Sequence, residues 1–212
     1  MAANHLHPLL CLALAMLVSL DFSCTQTGIT SRSSLEAATG ASWSSLSGRF
    51  SFGFYATEGG LAVGVWLATV PNVTITWTAN RNDTGTGSTL RLADDGRLLW
   101  TGVGDHDRTI ARPSRLAVTG AVRDNGNFVM FVTDDAVVWQ TFESDDTLVA
   151  GQELVPAAQL FSSVSDTNKA VGKYRLANQQ LDDNLVLYPV GMPNDAASSY
   201  WNTGTFDLGF TL

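Results

Sequence analysis

A short hairpin signature, a polar turn held between two apolar runs, occurs three times in this chain. The copies are Leu92-x-Asp94-Asp95-Gly96-x-Leu98-Leu99-Trp100, then Arg123-Asp124-Asn125-Gly126-Asn127-Phe128-Val129-Met130-Phe131, then Gln180-Leu181-Asp182-Asp183-Asn184-Leu185-Val186-Leu187-Tyr188. Asp-Gly and Asn-Gly supply the positive φ that tight β-hairpins need. A recurring hairpin implies equivalent units packed together rather than one flat sheet. The spacing predicts several small sheets in a pseudo-symmetric arrangement. The gap before the third copy is much longer than the gap before the second, so the third is assigned to a new unit. The polar run Glu143-Ser144-Asp145-Asp146 places a boundary within residues 143–156.

The rest of the chain reads the same way. Phe50-Ser51-Phe52-Gly53-Phe54-Tyr55 and the runs 61–66 and 73–77 are aromatic or β-branched. Residues 35–38 and 156–160 sustain at most single helical turns. The fold class is all-β.

The third copy differs in what it carries. Gln180, Asp182, Asn184, Val186 and Tyr188 fall at alternate positions, so an extended strand sends all five to one face. Two amides, a carboxylate, an aliphatic wall and a phenol suit the gripping of sugar hydroxyls better than the packing of a core. Leu181, Leu185 and Leu187 are then expected to point into the protein.

Residues 9–20 form an apolar run typical of a signal-peptide core and short for a membrane span. Cleavage is placed near Cys24, making residues 1–24 the signal peptide; an uncleaved anchor is the alternative. Cys11 and Cys24 are the chain's two cysteines, so a cleaved product has no disulfide and depends on packing. Roughly 188 residues remain, enough for one or two small domains. Sequons at Asn72 and Asn82 agree with a secreted, extracellular glycoprotein, held at the cell surface if the signal segment stays. No later run is long enough for a transmembrane helix. The net charge is −8, or −7 without Asp21, and no Lys/Arg cluster exists, which argues against nucleic acid as a partner.

Enzymatic chemistry finds little support. His106 is the one histidine beyond residue 24 and sits in the polar stretch Gly104-Asp105-His106-Asp107-Arg108. The pairs Asp94-Asp95, Asp145-Asp146 and Asp182-Asp183 lack EF-hand spacing and read as turn formers, so neither a metal nor a cofactor is expected.

The pattern Gln-x-Asp-x-Asn-x-Val-x-Tyr at residues 180–188 resembles the mannose-binding motif of bulb-type lectins. Further segments resemble the extracellular region of plant G-type (bulb-type, monocot mannose-binding) lectin S-receptor-like kinases. They are Ser47-Gly48-Arg49-Phe50-Ser51-Phe52-Gly53-Phe54-Tyr55, Ile75-Thr76-Trp77-Thr78-Ala79-Asn80-Arg81-Asn82, Asp124-Asn125-Gly126-Asn127-Phe128-Val129 and Val138-Trp139-Gln140-Thr141-Phe142. The resemblance implies a β-prism II fold of four-stranded sheets, one complete prism at 28–152 and a partial second at 153–212. It also implies mannose recognition at Gln180, Asp182, Asn184, Val186 and Tyr188.

The departures are specific. The first copy places Leu92, Asp94, Gly96, Leu98 and Trp100 at the five motif positions, and the second places Arg123, Asn125, Asn127, Val129 and Phe131 there. Both are expected to keep shape without binding. The family's linker prolines are missing from residues 144–151, and the family continues into Cys-rich modules, a membrane span and a kinase that this chain does not show. Two function classes stand open: a lectin for mannose-containing glycans, or a non-enzymatic receptor fragment or decoy that pairs with receptor-like kinase ectodomains or with itself.

Overall fold

The computed structural model describes residues 28–71, 73–82, 87–102, 106–133, 136–143, 146–181 and 184–205. Every regular element among them is a strand, apart from one 3₁₀ turn at Thr141–Glu143. All sixteen strands fall into four antiparallel four-stranded sheets.

Three sheets surround a common core. The first joins β1 (Ile29–Thr30), β10 (Thr119–Val122), β11 (Phe128–Phe131) and β12 (Val137–Gln140), in that order. The second joins β2 (Ser34–Glu36), β7 (Gly87–Leu92), β8 (Leu98–Gly102) and β9 (Asp107–Ala111). The third joins β3 (Ser42–Ser44), β4 (Phe50–Thr57), β5 (Gly60–Leu67) and β6 (Thr74–Thr78). Each turns alternate apolar residues inward: Phe52, Phe54, Val63 and Val65 from the third, Leu90, Leu98 and Trp100 from the second, Phe128 and Met130 from the first. Phe52 stacks on Phe128 with ring centroids 4.1 Å apart, and Trp77 meets Trp139 edge-on at 5.9 Å. Such ring pairs add about 0.5–1.5 kcal/mol each beyond their buried area. This is a three-sheeted β-prism.

The hairpins show how sequence sets register. In the first copy Ala93 N donates to Arg97 O at 2.8 Å, in the second Arg123 N to Asn127 O at 2.8 Å, and Gly96 and Gly126 take φ of +79° and +88° in the two turns. Any Cβ on Gly126 would also stand 2.8 Å from the Phe50 ring, so the turn closes against the core only with glycine. These equivalent bonds align Ala93, Asp95, Arg97, Leu99 and Thr101 with Arg123, Asn125, Asn127, Val129 and Phe131. The sequence assignment of Leu92, Asp94, Gly96, Leu98 and Trp100 to motif positions is therefore one residue out of step. Leu98 and Trp100 point into the core. The continuous apolar run Leu98-Leu99-Trp100 has no alternation to reveal its faces, and a one-residue slip exchanges them all.

The fourth sheet joins β13 (Gln159–Ser163), β14 (Val171–Asn178), β15 (Leu185–Pro189) and β16 (Trp201–Asn202). Arg81 fastens it to the rest. Asn80 takes φ +46°, a left-handed turn that Asn tolerates. The next residue, Arg81, donates to Lys169 O at 2.7 Å, Phe161 O at 3.0 Å, Ser162 O at 2.9 Å and Ser163 Oγ at 3.0 Å. Asp146 lies 3.8 Å from the same guanidinium, and burial pushes its carboxyl above the usual carboxylate range despite the pull of Arg81. Asn82 Oδ1 accepts from Val171 N at 3.0 Å, a second tie across the junction.

Among the described residues, one face of the fourth sheet has no partner of the kind found in the prism. Leu176, Leu185 and Leu187 are half-buried, Tyr174 is 38% exposed and Trp201 50%. Leu185 and Leu187 correspond to the buried Phe128 and Met130, so they face the side expected of them without being enclosed. Leu181, expected inside, is 97% exposed because it sits in the turn instead of on the strand.

Tyr55 lies on the outer face of the third sheet, packed with Ala62, Trp66 and Ile75, and its Oη shares a hydrogen bond with Thr78 Oγ1 at 2.8 Å. Burial pushes its phenol up to about 12, against the smaller opposing effect of that hydrogen bond. Folding thus favours the neutral phenol. Its stabilising contribution is complete below pH 10 and is lost as pH rises towards 12. A two-unit shift corresponds to about 2–3 kcal/mol. Denaturant titrations at pH 9 and above pH 11 should show a smaller alkaline loss in Tyr55→Phe than in the wild type; equal losses would place the alkaline sensitivity elsewhere.

Candidate functional site

The β14–β15 hairpin brings the motif residues together only in part. Val186 and Tyr188 stand on one face of β15, opposite Ala177 and Arg175 of β14, and Asn184 enters the strand on the same side. Gln180 does not join them. Asn178 pairs with Leu185, and Gln179 N donates to Asn184 O at 3.0 Å, so four residues separate that bonded pair, one more than in the other two copies. Gln180 is exposed in that turn, and its neighbour Gln179 takes the strand position. Gln179 Nε2 donates to Tyr188 Oη at 2.7 Å. The sequence reading missed Gln179: the motif spacing admits only Gln180, and the one signal for Gln179 was the Gln179-Gln180 doublet beside a turn that could lengthen by a residue. Asp182 lies outside the described residues.

The face is more covered than a bare alternation implies. Tyr188 is 1% and Val186 2% exposed. The Arg175 guanidinium carbon lies 4.7 Å from the centre of the Tyr188 ring, and its Nη2 donates to Met192 O at 2.7 Å. This cation–π lid is itself anchored to backbone, so the ring is accessible only when Arg175 gives way.

Asn184 has a second employment. Its Oδ1 accepts from Thr203 Oγ1 at 2.9 Å and Thr205 N at 3.3 Å, while Leu185 N donates to Thr203 Oγ1 at 3.2 Å. Asn127 repeats the arrangement: its Oδ1 accepts from Thr141 Oγ1 at 3.2 Å and Phe142 N at 3.3 Å, and Phe128 N donates to Thr141 Oγ1 at 3.0 Å. An Asn–Thr clamp thus ties each hairpin to its edge strand. The sequence carries it as Trp139-Gln140-Thr141 and Trp201-Asn202-Thr203, a recurrence the hairpin comparison overlooked. Arg97 stands in the clamp position of the first copy and instead holds Asp95 through Nε at 2.6 Å.

Turn carboxylates serve structure here. Asp124 accepts from Ser47 Oγ at 2.6 Å and Ser47 N at 2.9 Å, and these bonds hold its carboxyl below the usual range. Arg97 does the same for Asp95 through its backbone N–H and then its side chain. Among the described residues no group of three or more His, Cys, Asp or Glu is placed to hold a metal. His106 is exposed, as is the Asn82 sequon asparagine, while Asn72 and the segment 1–24 lie outside the described residues.

Two cavities open beside the junction with the fourth sheet. One, of about 480 Å³, lies between the second hairpin copy and residues 151–160. The other, of about 520 Å³, is floored by Tyr55, Trp66 and Ile75 and rimmed by Glu58, Asp166 and Lys169. No helix among the described residues is long and apolar enough to cross a membrane.

No family model matches the chain. Its sequence is 30% identical over 220 residues to the G-type lectin S-receptor-like serine/threonine-protein kinase LECRK1 of Oryza sativa subsp. indica, covering 94% of this chain and 26% of the kinase. LECRK3 of the same rice is 32% identical over 81% of this chain and 23% of its own length. The G-type lectin S-receptor-like kinase RLK1 of Arabidopsis thaliana is 30% identical over 79% and 22%. The chain thus spans about a quarter of the length of the curated relatives it matches. Among solved structures, the Japanese Marasmius oreades lectin covers 84% of this chain at 16% identity with a TM-score of 0.22, too low to establish a shared fold. Over most of its length the chain belongs with the G-type lectin S-receptor-like kinases, and its prism is a lectin-like module of that family.

Proposed function

We propose that this chain is a non-enzymatic carbohydrate-binding module for mannose-type glycans, secreted or displayed outside the cell, with the residue 180–188 hairpin as its grip. The observation that carries the reading is the shared face of Asn184, Val186 and Tyr188 on β15. Once the Arg175 lid is displaced, Val186 offers an apolar wall for sugar C–H groups, and Tyr188 Oη and the Asn184 amide offer hydroxyl partners. Gln180 and Asp182 complete the set by sequence, and Gln179 Nε2 is hydrogen-bonded to Tyr188 Oη. A sugar reaching the phenol exchanges that internal bond for its own, so little net energy is gained. A dissociation constant on the order of millimolar, about −4 kcal/mol, is expected. Useful avidity then requires several linked sites.

Asp182→Ala should abolish retention on a mannose column, because it removes the carboxylate able to accept from two hydroxyls. Asp94→Ala, an exposed turn acid of the first copy, should leave retention unchanged. Equal losses would show that folding rather than a local site had been disturbed. In a eukaryotic secretory host, the exposed Asn82 should carry a glycan whose enzymatic removal lowers the protein's mass.

The half-exposed face of Leu176, Leu185, Leu187, Tyr174 and Trp201 favours a second reading, pairing with a receptor-like kinase ectodomain or another copy. Co-precipitation of such an ectodomain that persists in excess mannose would support that reading over the lectin.

A further inference from the structure

We propose that the cavity on the outer face of the third sheet binds a small cationic amphiphile, an apolar body carrying one ammonium group. The inference does not depend on the carbohydrate-binding reading, and its residues lie outside all three hairpin copies.

The floor follows from the strand pattern. Tyr55 of β4 and Ala62 and Trp66 of β5 turn away from the prism core and form an apolar cluster of their own, with Ile75 of β6 packed against it. Gly64 lets the Tyr55 ring lie against the sheet, since a Cβ there would stand 2.8 Å from its Cε1. Tyr55 Oη is bonded to Thr78 Oγ1 at 2.8 Å, which fixes the ring. Trp66 is 7% exposed and Val73 60%, so a packed floor ends in an open apolar edge.

The facing wall comes from the loop between β13 and β14, which carries Asp166, Thr167 and Lys169. Three bonds set that loop in place. Lys169 O accepts from Arg81 Nε at 2.7 Å, Thr167 Oγ1 donates to Glu58 Oε1, and Asn168 Oδ1 accepts from Ala170 N at 3.0 Å. The enclosed space is about 520 Å³, within the range of small-ligand pockets. It exists because the junction is closed, so a ligand in it touches both sides of that junction.

The charges select the ligand. Arg81 and Lys169 both act on the buried Asp146, which offsets one of the two cations. The exposed Glu58 and Asp166 outnumber the cation that remains. Asp166 has no hydrogen-bond or ion-pair partner among the described residues, and Glu58 has one carboxylate oxygen engaged by Thr167. An anion therefore meets net repulsion. A hexose fares poorly as well: no amide side chain lines the cavity and Tyr55 Oη is already bonded, so its hydroxyls would leave water without new partners. An apolar body with a single ammonium covers Trp66, Ile75 and Val73 and sets its charge among the carboxylates.

The test is a titration of the ¹⁵N-labelled full chain, reading the Trp66 indole N–H signal. The probes are phenethylamine, phenylacetate as its anionic counterpart, and methyl α-mannoside. Trp66 should move with phenethylamine at roughly fivefold lower concentration than with phenylacetate, the scale of one partly solvated charge contact. It should not move with the mannoside. Glu58→Gln combined with Asp166→Asn keeps the shape of two exposed side chains and should remove the preference for the amine, while the backbone signals of β4 and β5 show that the sheet persists. Equal responses to the two aromatic probes, or a preference that survives the double substitution, would overturn the proposal. So would a Trp66 response to the mannoside, or no response to any probe. The backbone signals of β15 report on the hairpin separately, so failure here and failure of the lectin reading are told apart.

Discussion

Arg81→Ala should cut the fourth sheet loose from the prism. The guanidinium satisfies three backbone carbonyls and a serine hydroxyl on the far side of the junction, and it is the cation nearest the buried Asp146. Removing it strands those carbonyls and takes the nearest counter-charge from Asp146, whose Oδ1 has no hydrogen-bond partner among the described residues. Losing one member of a buried charged pair costs about 3–5 kcal/mol. Because the prism has its own core, the loss should fall on the junction and β13 to β16. Hydrogen exchange should quicken in β13 and β14 while β4, β5 and β11 keep their protection. Arg81→Lys, with the charge but not the planar fork, should fall between the two. Uniform loss of protection across all sheets would mean the molecule unfolds as one cooperative unit.

Phe52→Ala should be the most damaging single truncation in the prism. Phe52 is fully buried, stacks on Phe128 and contacts the Trp43 and Trp77 rings, so its removal opens a cavity where the three sheets meet. Such substitutions cost about 3–5 kcal/mol. Leu187→Ala, in the half-exposed face of the fourth sheet, should cost well under half of that, since water already reaches the site. Chemical denaturation of both variants measures the contrast directly. A Leu187→Ala cost matching that of Phe52→Ala would show that the fourth sheet has a buried core of its own.

Local chemistry carried much of this fold in the sequence. Asp95-Gly96 and Asn125-Gly126 announced their turns because few residue pairs accept the required φ, and the Phe50-to-Tyr55 run showed its strand through alternation. The face of Leu98-Leu99-Trp100 was not legible, because three successive apolar residues fit a strand in either register and only packing chose between them. The same ambiguity hid Gln179. A doublet of glutamines and a turn one residue longer place Gln179, not Gln180, against Tyr188. Arg81 lies in a segment that carries the family resemblance, yet its partners lie 80 to 88 residues away and leave no mark on local pattern. The Asn–Thr clamps were hidden for a similar reason. Asn127 and Thr141 are 14 residues apart and Asn184 and Thr203 are 19 apart, so no fixed spacing joins them. The motif asparagine that reads as a ligand group in sequence is also a structural fastener in space.

That this chain reads mannose-type glycans through the residue 180–188 hairpin of its fourth sheet is tested most directly by a glycan array probed with the secreted, glycosylated chain. The expected result is retention on mannose-terminated glycans above all others, lost in Asp182→Ala and kept in Asp94→Ala. A folded wild-type protein that bound no glycan, or bound galactose-terminated and mannose-terminated glycans alike, would contradict it.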